Sequence, residues 1–425
     1  MKKYFLFTAV LSLAFFSCKS EKKKYMEGKS ETEIKQQADT VETALGALVL
    51  PKPFASESVT NRNGMKDWPD GKMPAAPQGF TVTKYADGFD NPRWTYIAPN
   101  GDMFVCESST RGSADRITIL RDKDEDGTAE LRETFLEGLN QPFGMLVIGN
   151  NFYVANTDGL YKFPYKEGQT SLKDAKGDKI LELPAGGYNN HWTRNIITNE
   201  AKDKIYISVG SASNVAEHGM DEEIRRANIL VVDVNGQNEK IYASGLRNPV
   251  GMDWNPVNGE LWTAVNERDK LGDNLVPDYV TSVREGGFYG WPYSYFGQLP
   301  DPRMDGKGSD LVAKAIVPDV SVGPHTASLG LTFYDAETFP SKYKNGLFVG
   351  QHGSWNRAKF SGYKVVFVPF ENGKPSGQPE DFLTGFIADE NDVYGRPVGV
   401  TVTPKGDLLV NDDSGNVIWK VSYSN

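Results

Sequence analysis

The sequence predicts an all-β chain, a six-bladed β-propeller preceded by a lipoprotein signal and a flexible tether. Three observations carry this. A segment of the form loop, strand, Pro/Gly turn, strand recurs along the chain. It is clearest in Asn91-Pro92-Arg93-Trp94 leading to Met103-Phe104-Val105, in Asn248-Pro249-Val250-Gly251 leading to Leu261-Trp262, and in Arg396-Pro397-Val398-Gly399 leading to Leu408-Leu409-Val410. Weaker copies open at Gln141, Thr193 and Ser328, making six units. Composition agrees: 43 Gly and 24 Pro, with 22 Phe, 19 Tyr and 8 Trp, favour turns and strands over helices. Finally, a small antiparallel unit cannot bury both faces alone, and radial packing of such units supplies a common core.

In chain order, Lys2 and Lys3 precede an apolar run from Tyr4 to Phe16, too short to span a bilayer comfortably. The run ends at Phe15-Phe16-Ser17-Cys18, which resembles a bacterial lipobox, so residues 1–18 read as a lipoprotein signal with Cys18 as the lipidated residue. The expectation is an exported lipoprotein of the cell envelope, membrane-associated through its lipid anchor only. The remaining cysteine, Cys106, then has no disulfide partner. Residues 19–77 begin with a Lys/Glu-rich stretch and continue through Pro51, Pro53, Pro69, Pro74 and Pro77. They read as a tether or N-terminal arm, and residues 78–425 as the propeller. Unit spacing is uneven, 50 residues from 91 to 141 but 80 from 248 to 328, so some blades carry long insertions. A net charge of -10 argues against a nucleic-acid partner.

In a propeller, the loops that open the units converge on the central channel. Arg93, Gln141, His191, Arg247, Asn248 and Arg396 are therefore expected to meet. The richest of these loops is Tyr188-Asn189-Asn190-His191-Trp192-Thr193-Arg194. An imidazole with an ordinary pKa near 6.5 suits proton abstraction near neutral pH.

Several motifs occur together in one order: Asn190-His191-Trp192, Gly245-Leu246-Arg247-Asn248-Pro249, Glu285-Gly286-Gly287-Phe288-Tyr289-Gly290-Trp291-Pro292, Gly353-Ser354-Trp355-Asn356-Arg357, Gly362-Tyr363-Lys364 and Gly395-Arg396-Pro397-Val398-Gly399. With them the chain resembles the soluble glucose/sorbosone dehydrogenase family, most closely its sorbosone-dehydrogenase-type branch, over about residues 78 to 423. The resemblance implies pyrroloquinoline quinone (PQQ) and Ca²⁺ in the central cleft, a small sugar or alcohol substrate, and an external electron acceptor. It implies His191 as general base and Arg247 against the quinone oxygens, with Asn248 lining the same pocket. Arg357, Lys364 and Arg396 are the candidate partners for PQQ carboxylates, for which planar guanidiniums are suited. Backbone carbonyls near Glu267 and Arg268 would ligate Ca²⁺. One departure stands out: where the better-known glucose dehydrogenases carry an acidic residue after the strand following the histidine, this chain has Ser211. Asn190, Asn214 and Glu217 are the alternatives for orienting His191.

Asp122, Asp124 and Asp126, followed by Gly127 and Glu130, have calcium-loop spacing. The strand-like Arg116-Ile117-Thr118-Ile119-Leu120 before them fits a hairpin rather than an EF-hand, so a structural Ca²⁺ loop and a plain Asp/Gly turn both stand. His352 and His325 each divide between pocket lining and a structural role, and His218 reads as a solvated loop residue. The chain has four histidines with no HExxH, no Cys-x-x-Cys-His, no Gly-x-Gly-x-x-Gly opening a helix and no Gly-x-Ser-x-Gly. Zinc-protease, haem c, Rossmann and nucleophile-elbow chemistries lack support. The rival reading is a non-redox propeller, a calcium-dependent lactonase-like hydrolase or a carbohydrate-binding protein, with Glu267, Asn190 and Asn248 as metal-ring candidates.

Overall fold

A computed structural model describes residues 21–110, 112–124 and 127–424. The proposed signal with Cys18, and Asp126 of the acidic loop, lie outside the described residues. Six sheets of four or five strands account for almost all regular structure. The inner strands of the six blades are Pro92–Ile97, Met145–Ile148, Ile196–Thr198, Pro249–Trp254, Ser328–Phe333 and Pro397–Val402. Each begins within a few residues of a unit start expected from the repeats. The sixth blade is completed by the N-terminal strand Phe80–Asp87, which pairs antiparallel with Val417–Tyr423 and so closes the ring.

The second strands are buried at every position in four blades: Met103–Glu107, Leu261–Val265, Leu347–Gln351 and Leu408–Asp412. These strands pack against neighbouring blades on both faces, which is why they read as continuous apolar runs rather than alternating ones. At the channel, backbones approach closely. A Cβ on Gly330 would lie 2.1 Å from the carbonyl oxygen of Val398, so the contact between the fifth and sixth inner strands requires glycine.

The longest spacing has a simple cause. In the fourth blade, residues 284–319 are inserted between strands Pro277–Val283 and Val320–Pro324. Part of this insertion, Gly287–Phe288, adds a fifth, parallel strand to the third blade. The Gly287-Phe288-Tyr289-Gly290-Trp291 motif is thus a clamp between blades.

From Ala38 onward, the segment expected as tether or arm is a packed arm. Its hairpin, Ala38–Thr43 with Gly46–Pro51, buries Val41 and Leu50 against Ile229, Leu246 and Leu271. Farther on, Trp68 stacks on Tyr394 and meets Trp419 edge-on. Burial of such apolar side chains stabilises by roughly 1.5–3 kcal/mol each, enough to offset the entropy of ordering the segment. Among the described residues, no helix is long and apolar enough to cross a membrane.

Candidate functional site

The loops that open the blades meet at one end of the channel around a cleft of about 1070 Å³. Of the residues expected there, Arg93, His191, Arg247, Asn248, Glu267, Arg268 and Arg396 line it. A cleft fed by loops from several blades explains how residues up to three hundred positions apart share one surface.

His191 sits just ahead of the third blade. Its Nδ1 lies 2.8 Å from the carbonyl oxygen of Ser211 and 3.0 Å from the Ser211 hydroxyl. A carbonyl only accepts, so Nδ1 carries the proton and Nε2 remains a neutral acceptor. The serine at the place of the expected acid therefore orients the imidazole through its main chain. Gly210 makes this fit possible: a Cβ there would come within 2.5 Å of His191 Cβ and 2.3 Å of Asn248 Oδ1. Burial and the neighbouring Arg247 lower the His191 pKa to about 3, which corrects the expectation of an ordinary value. The ring is neutral throughout the physiological range.

Arg247 is buried and holds the cleft floor together. Nε and Nη2 donate to the Asn214 carbonyl and side-chain oxygens at 2.9 Å, and Nη1 donates to the carbonyls of Asn266 at 3.1 Å and Glu267 at 2.7 Å. Of the two carbonyls expected to face calcium, that of Glu267 thus already meets this guanidinium, with a lone pair to spare, and the second acceptor is the Asn266 carbonyl rather than that of Arg268. Beside them, Glu267 Oε1 and Asn248 Oδ1 are buried without hydrogen-bond partners. Burial pushes the Glu267 carboxyl up to about 7. The Arg268 side chain turns away from this chemistry, paired at 2.7 Å with Asp301 and at 3.1 Å with Glu21.

The opposite wall is built around Asp413. It accepts from Arg93 and lies 3.0 Å from His352 Nε2. The fields of His352, Arg93 and Arg396 overcome burial and hold its carboxyl far below the usual range. Arg396 donates to the carbonyls of His352 and Gly353, and Arg93 lies 5.0 Å from the Trp192 ring centroid. Two guanidiniums thus flank Asp413, and the neighbouring Asp412, whose carboxyl burial raises to about 6, accepts from the Arg396 backbone N–H at 2.7 Å. Burial and Arg396 push His352 down to about 4, so it adds no charge near neutrality.

Three expected cofactor residues are displaced from the cleft. Gln141 adopts φ +49 and spends its amide on the Ser109 carbonyl at 3.0 Å. Arg357 bonds Asn274 Oδ1 at 3.0 Å, and Lys364, on the third strand of the fifth blade, pairs with Asp381. None of the three is among the cleft-lining residues. His325 takes both expected roles: it lines the cleft and bridges Asp269 and the Gly272 carbonyl, and Asp269 raises its pKa against burial. His218 lies on the cleft rim, stacked on Tyr188. Asp122, Asp124 and Glu130 bring carboxylate oxygens within 4.8 Å of one another in a hairpin loop of the first blade. Strands on both sides rule out an EF-hand geometry.

Sequence reasoning missed Asp413 and Glu21, and gave Arg194, quoted within the His191 loop, no role. Asp413 follows the fully buried strand Leu408–Asp412, and an acid at that end of an inner-blade strand is a readable signal. Arg194 is fully buried and donates to the carbonyls of His191 at 2.8 Å and Pro184 at 2.7 Å, fixing the histidine's loop.

Comparison with known proteins agrees with this architecture. The TrAA12-like family matches residues 74–282 and 303–424, leaving out part of the fourth-blade insertion. An uncharacterized protein of Borreliella burgdorferi is 29% identical over 357 residues, covering 82% of this chain and 90% of that protein. A pyrroloquinoline quinone-dependent pyranose dehydrogenase of Coprinopsis cinerea is 25% identical over 418 residues, covering 81% of this chain. This chain spans about half of that relative's length, 55%. The Trichoderma reesei AA12 enzyme, in its iodide and calcium structures, superposes with TM-scores of 0.70 and 0.68 at 19% identity, over 85% and 86% of this chain and all of that one. The matched segments contain every blade of the propeller and every loop that lines the cleft apart from the N-terminal arm and part of the insertion, so the chain belongs to the TrAA12-like family.

Proposed function

We propose that this chain is a PQQ-dependent dehydrogenase that oxidises a sugar, an aldose or a sorbosone-like aldehyde, or a related alcohol, and passes electrons to an external acceptor. The observation that carries the reading is His191: a neutral imidazole, fixed through Nδ1, in a cleft whose other walls present guanidiniums. The fit for an anionic planar cofactor is chemical. Arg93 and Arg396 present guanidiniums on one wall, Arg247 lies beneath, and the buried Asn248 Oδ1 and Glu267 Oε1 lack hydrogen-bond partners among the described residues. Glu267 Oε1 and the carbonyls of Asn266 and Glu267 are hard oxygen donors of the kind Ca²⁺ takes.

Bound PQQ would supply a two-electron acceptor for the hydride equivalent from the sugar carbon. The chain's own part is to hold and deprotonate. His191 Nε2 accepts the proton of the reacting hydroxyl, and the Ser211 carbonyl stabilises the resulting imidazolium through Nδ1–H. Arg247 lowers the basicity of His191, and a negatively charged group held against that guanidinium would relieve this. The lactonase-like alternative would use the same Glu267 and Asn248 oxygens but has no use for the Arg93–Arg396 wall.

Sequence supports an exported lipoprotein anchored at Cys18. Mass spectrometry of the mature N-terminus tests this: an acylated cysteine is expected, and an intact or unmodified N-terminus would refute it. For activity, the protein without its signal is mixed with PQQ and Ca²⁺, and dye reduction is followed over aldoses, aldehydes and alcohols. Sugar-dependent reduction is expected; none across the panel would sink the proposal.

A further inference from the structure

We infer that the Tyr188–His218 ring pair at the mouth of the cleft is a second saccharide subsite, which makes an oligosaccharide, rather than a free monosaccharide, the preferred ligand. This rests on the sugar-dehydrogenase reading for what happens at His191, but its geometry is independent of it. The two rings lie parallel, with centroids 3.3 Å apart and planes 3° from each other. Both line the cleft, and Tyr188 is 41% exposed. Holding two exposed side chains in one arrangement costs rotamer entropy and keeps apolar ring surface in contact with water. Such a plate becomes favourable when a flat, C–H-rich face covers it, and a pyranose ring offers one.

The plate is also pre-organised. The loop that presents Tyr188 is gripped from below by two buried guanidiniums. Arg194 donates to the Pro184 carbonyl at 2.7 Å and to Asn189 Oδ1 at 3.1 Å. Arg226 donates to the same Asn189 Oδ1 at 2.7 Å and to the Gly186 carbonyl at 3.1 Å. Ordering costs on binding are therefore already met, which favours affinity. Polar groups for hydroxyls flank the rings. Glu217, next to His218, lines the cleft; burial acts to raise its pKa, but backbone N–H bonds, including Val215 N at 2.6 Å, hold it low, and the carboxylate keeps lone pairs to spare. Asn190 is exposed on the same rim. Tyr188 and His191 lie three positions apart in the chain, so their Cα atoms are at most about 11 Å apart. A short saccharide with its reacting end at His191 reaches the plate.

The test is ligand binding by the protein without added cofactor, followed by saturation-transfer NMR and calorimetry with glucose, cellotriose and maltotriose. At least one trisaccharide is expected to bind about tenfold or more tighter than glucose. Tyr188→Ala should bring the trisaccharide-to-glucose ratio close to one, whereas Tyr188→Phe, which keeps the plate, should preserve it. Equal affinity for all three sugars in the unmodified protein, or a ratio that survives Tyr188→Ala, overturns the inference. Because the readout is binding, loss of the dehydrogenase reading through absent PQQ reduction would leave this result standing on its own.

Discussion

Of the four histidines that line the cleft, His191 and His352 stand on opposite walls, and their partners differ in kind. His191 meets a carbonyl and lies beside Arg247, whereas His352 meets the carboxylate of Asp413, which it shares with Arg93. The difference separates the proposed base from a scaffold. At His191 only Nδ1 is engaged, so Nε2 is available to a substrate. At His352, Nε2 is spent on Asp413, and the ring serves to place an anion between two guanidiniums. Both rings are neutral near pH 7, so charge does not distinguish them; the nitrogen left over does.

The largest effect should come from removing the nitrogen left over. His191→Ala is expected to lower turnover by roughly 10²–10⁴-fold while PQQ still binds. His352→Ala should instead weaken PQQ binding and spare more of the turnover at saturating cofactor. Steady-state kinetics with separate PQQ titrations checks the contrast, and equal losses in both variants would erase it.

Next in size is Arg247, which supports the His191 wall only. Arg247→Met leaves the carbonyls of Asn214, Asn266 and Glu267 without their donor and should cost about 3 kcal/mol of stability, read by urea denaturation. A change under about 0.5 kcal/mol would mean that water replaces the guanidinium without loss.

A smaller effect concerns pH. The pKa of His191 is depressed to about 3 from an unfolded value near 6.5. Between those values the unfolded chain takes up a proton that the folded one refuses, so His191 lowers stability as pH falls through this window. From pH 7 to 5 the contribution approaches about 2 kcal/mol. Buried acids such as Asp253 and Asp278 act oppositely, since their carboxyls are raised to about 6, so the comparison must be with His191→Asn. That variant should lose less stability over the interval than the parent; identical losses would show that His191 titrates normally.

The smallest effect is the sharpest on orientation. Ser211→Ala removes the hydroxyl but keeps the carbonyl that holds Nδ1. Turnover should change by less than about fivefold, because a single neutral hydrogen bond contributes only about 1 kcal/mol. A loss approaching that of His191→Ala would transfer the orienting role to the hydroxyl.

Much of this contrast was legible in the sequence, and for a physical reason. Blade repetition fixes where each unit opens, and those openings face the channel whatever the details of packing. Arg93, His191, Arg247, Asn248 and Arg396 could be brought together on that ground alone. Gln141 obeyed the same repeat but failed, because its amide is spent on the Ser109 carbonyl. Lys364 and Arg357 lie in matching motifs away from the unit openings, and motif order says nothing about which way a strand residue points. The partner of His191 was illegible for another reason: a backbone carbonyl has no sequence signature, so Ser211 looked like a missing acid. Asp413 was overlooked because its role appears only when Arg93 and His352, some 320 and 61 positions away, close around it.

The proposed function requires above all that the guanidinium-walled cleft binds a quinone and that a sugar reduces it there. The direct measurement is anaerobic absorbance spectroscopy of the purified protein loaded with PQQ and Ca²⁺, before and after addition of an aldose or an oligosaccharide. The spectrum of bound oxidised PQQ should appear on loading and bleach when the sugar is added. Failure of PQQ to bind, or a bound spectrum that no sugar bleaches, would contradict it.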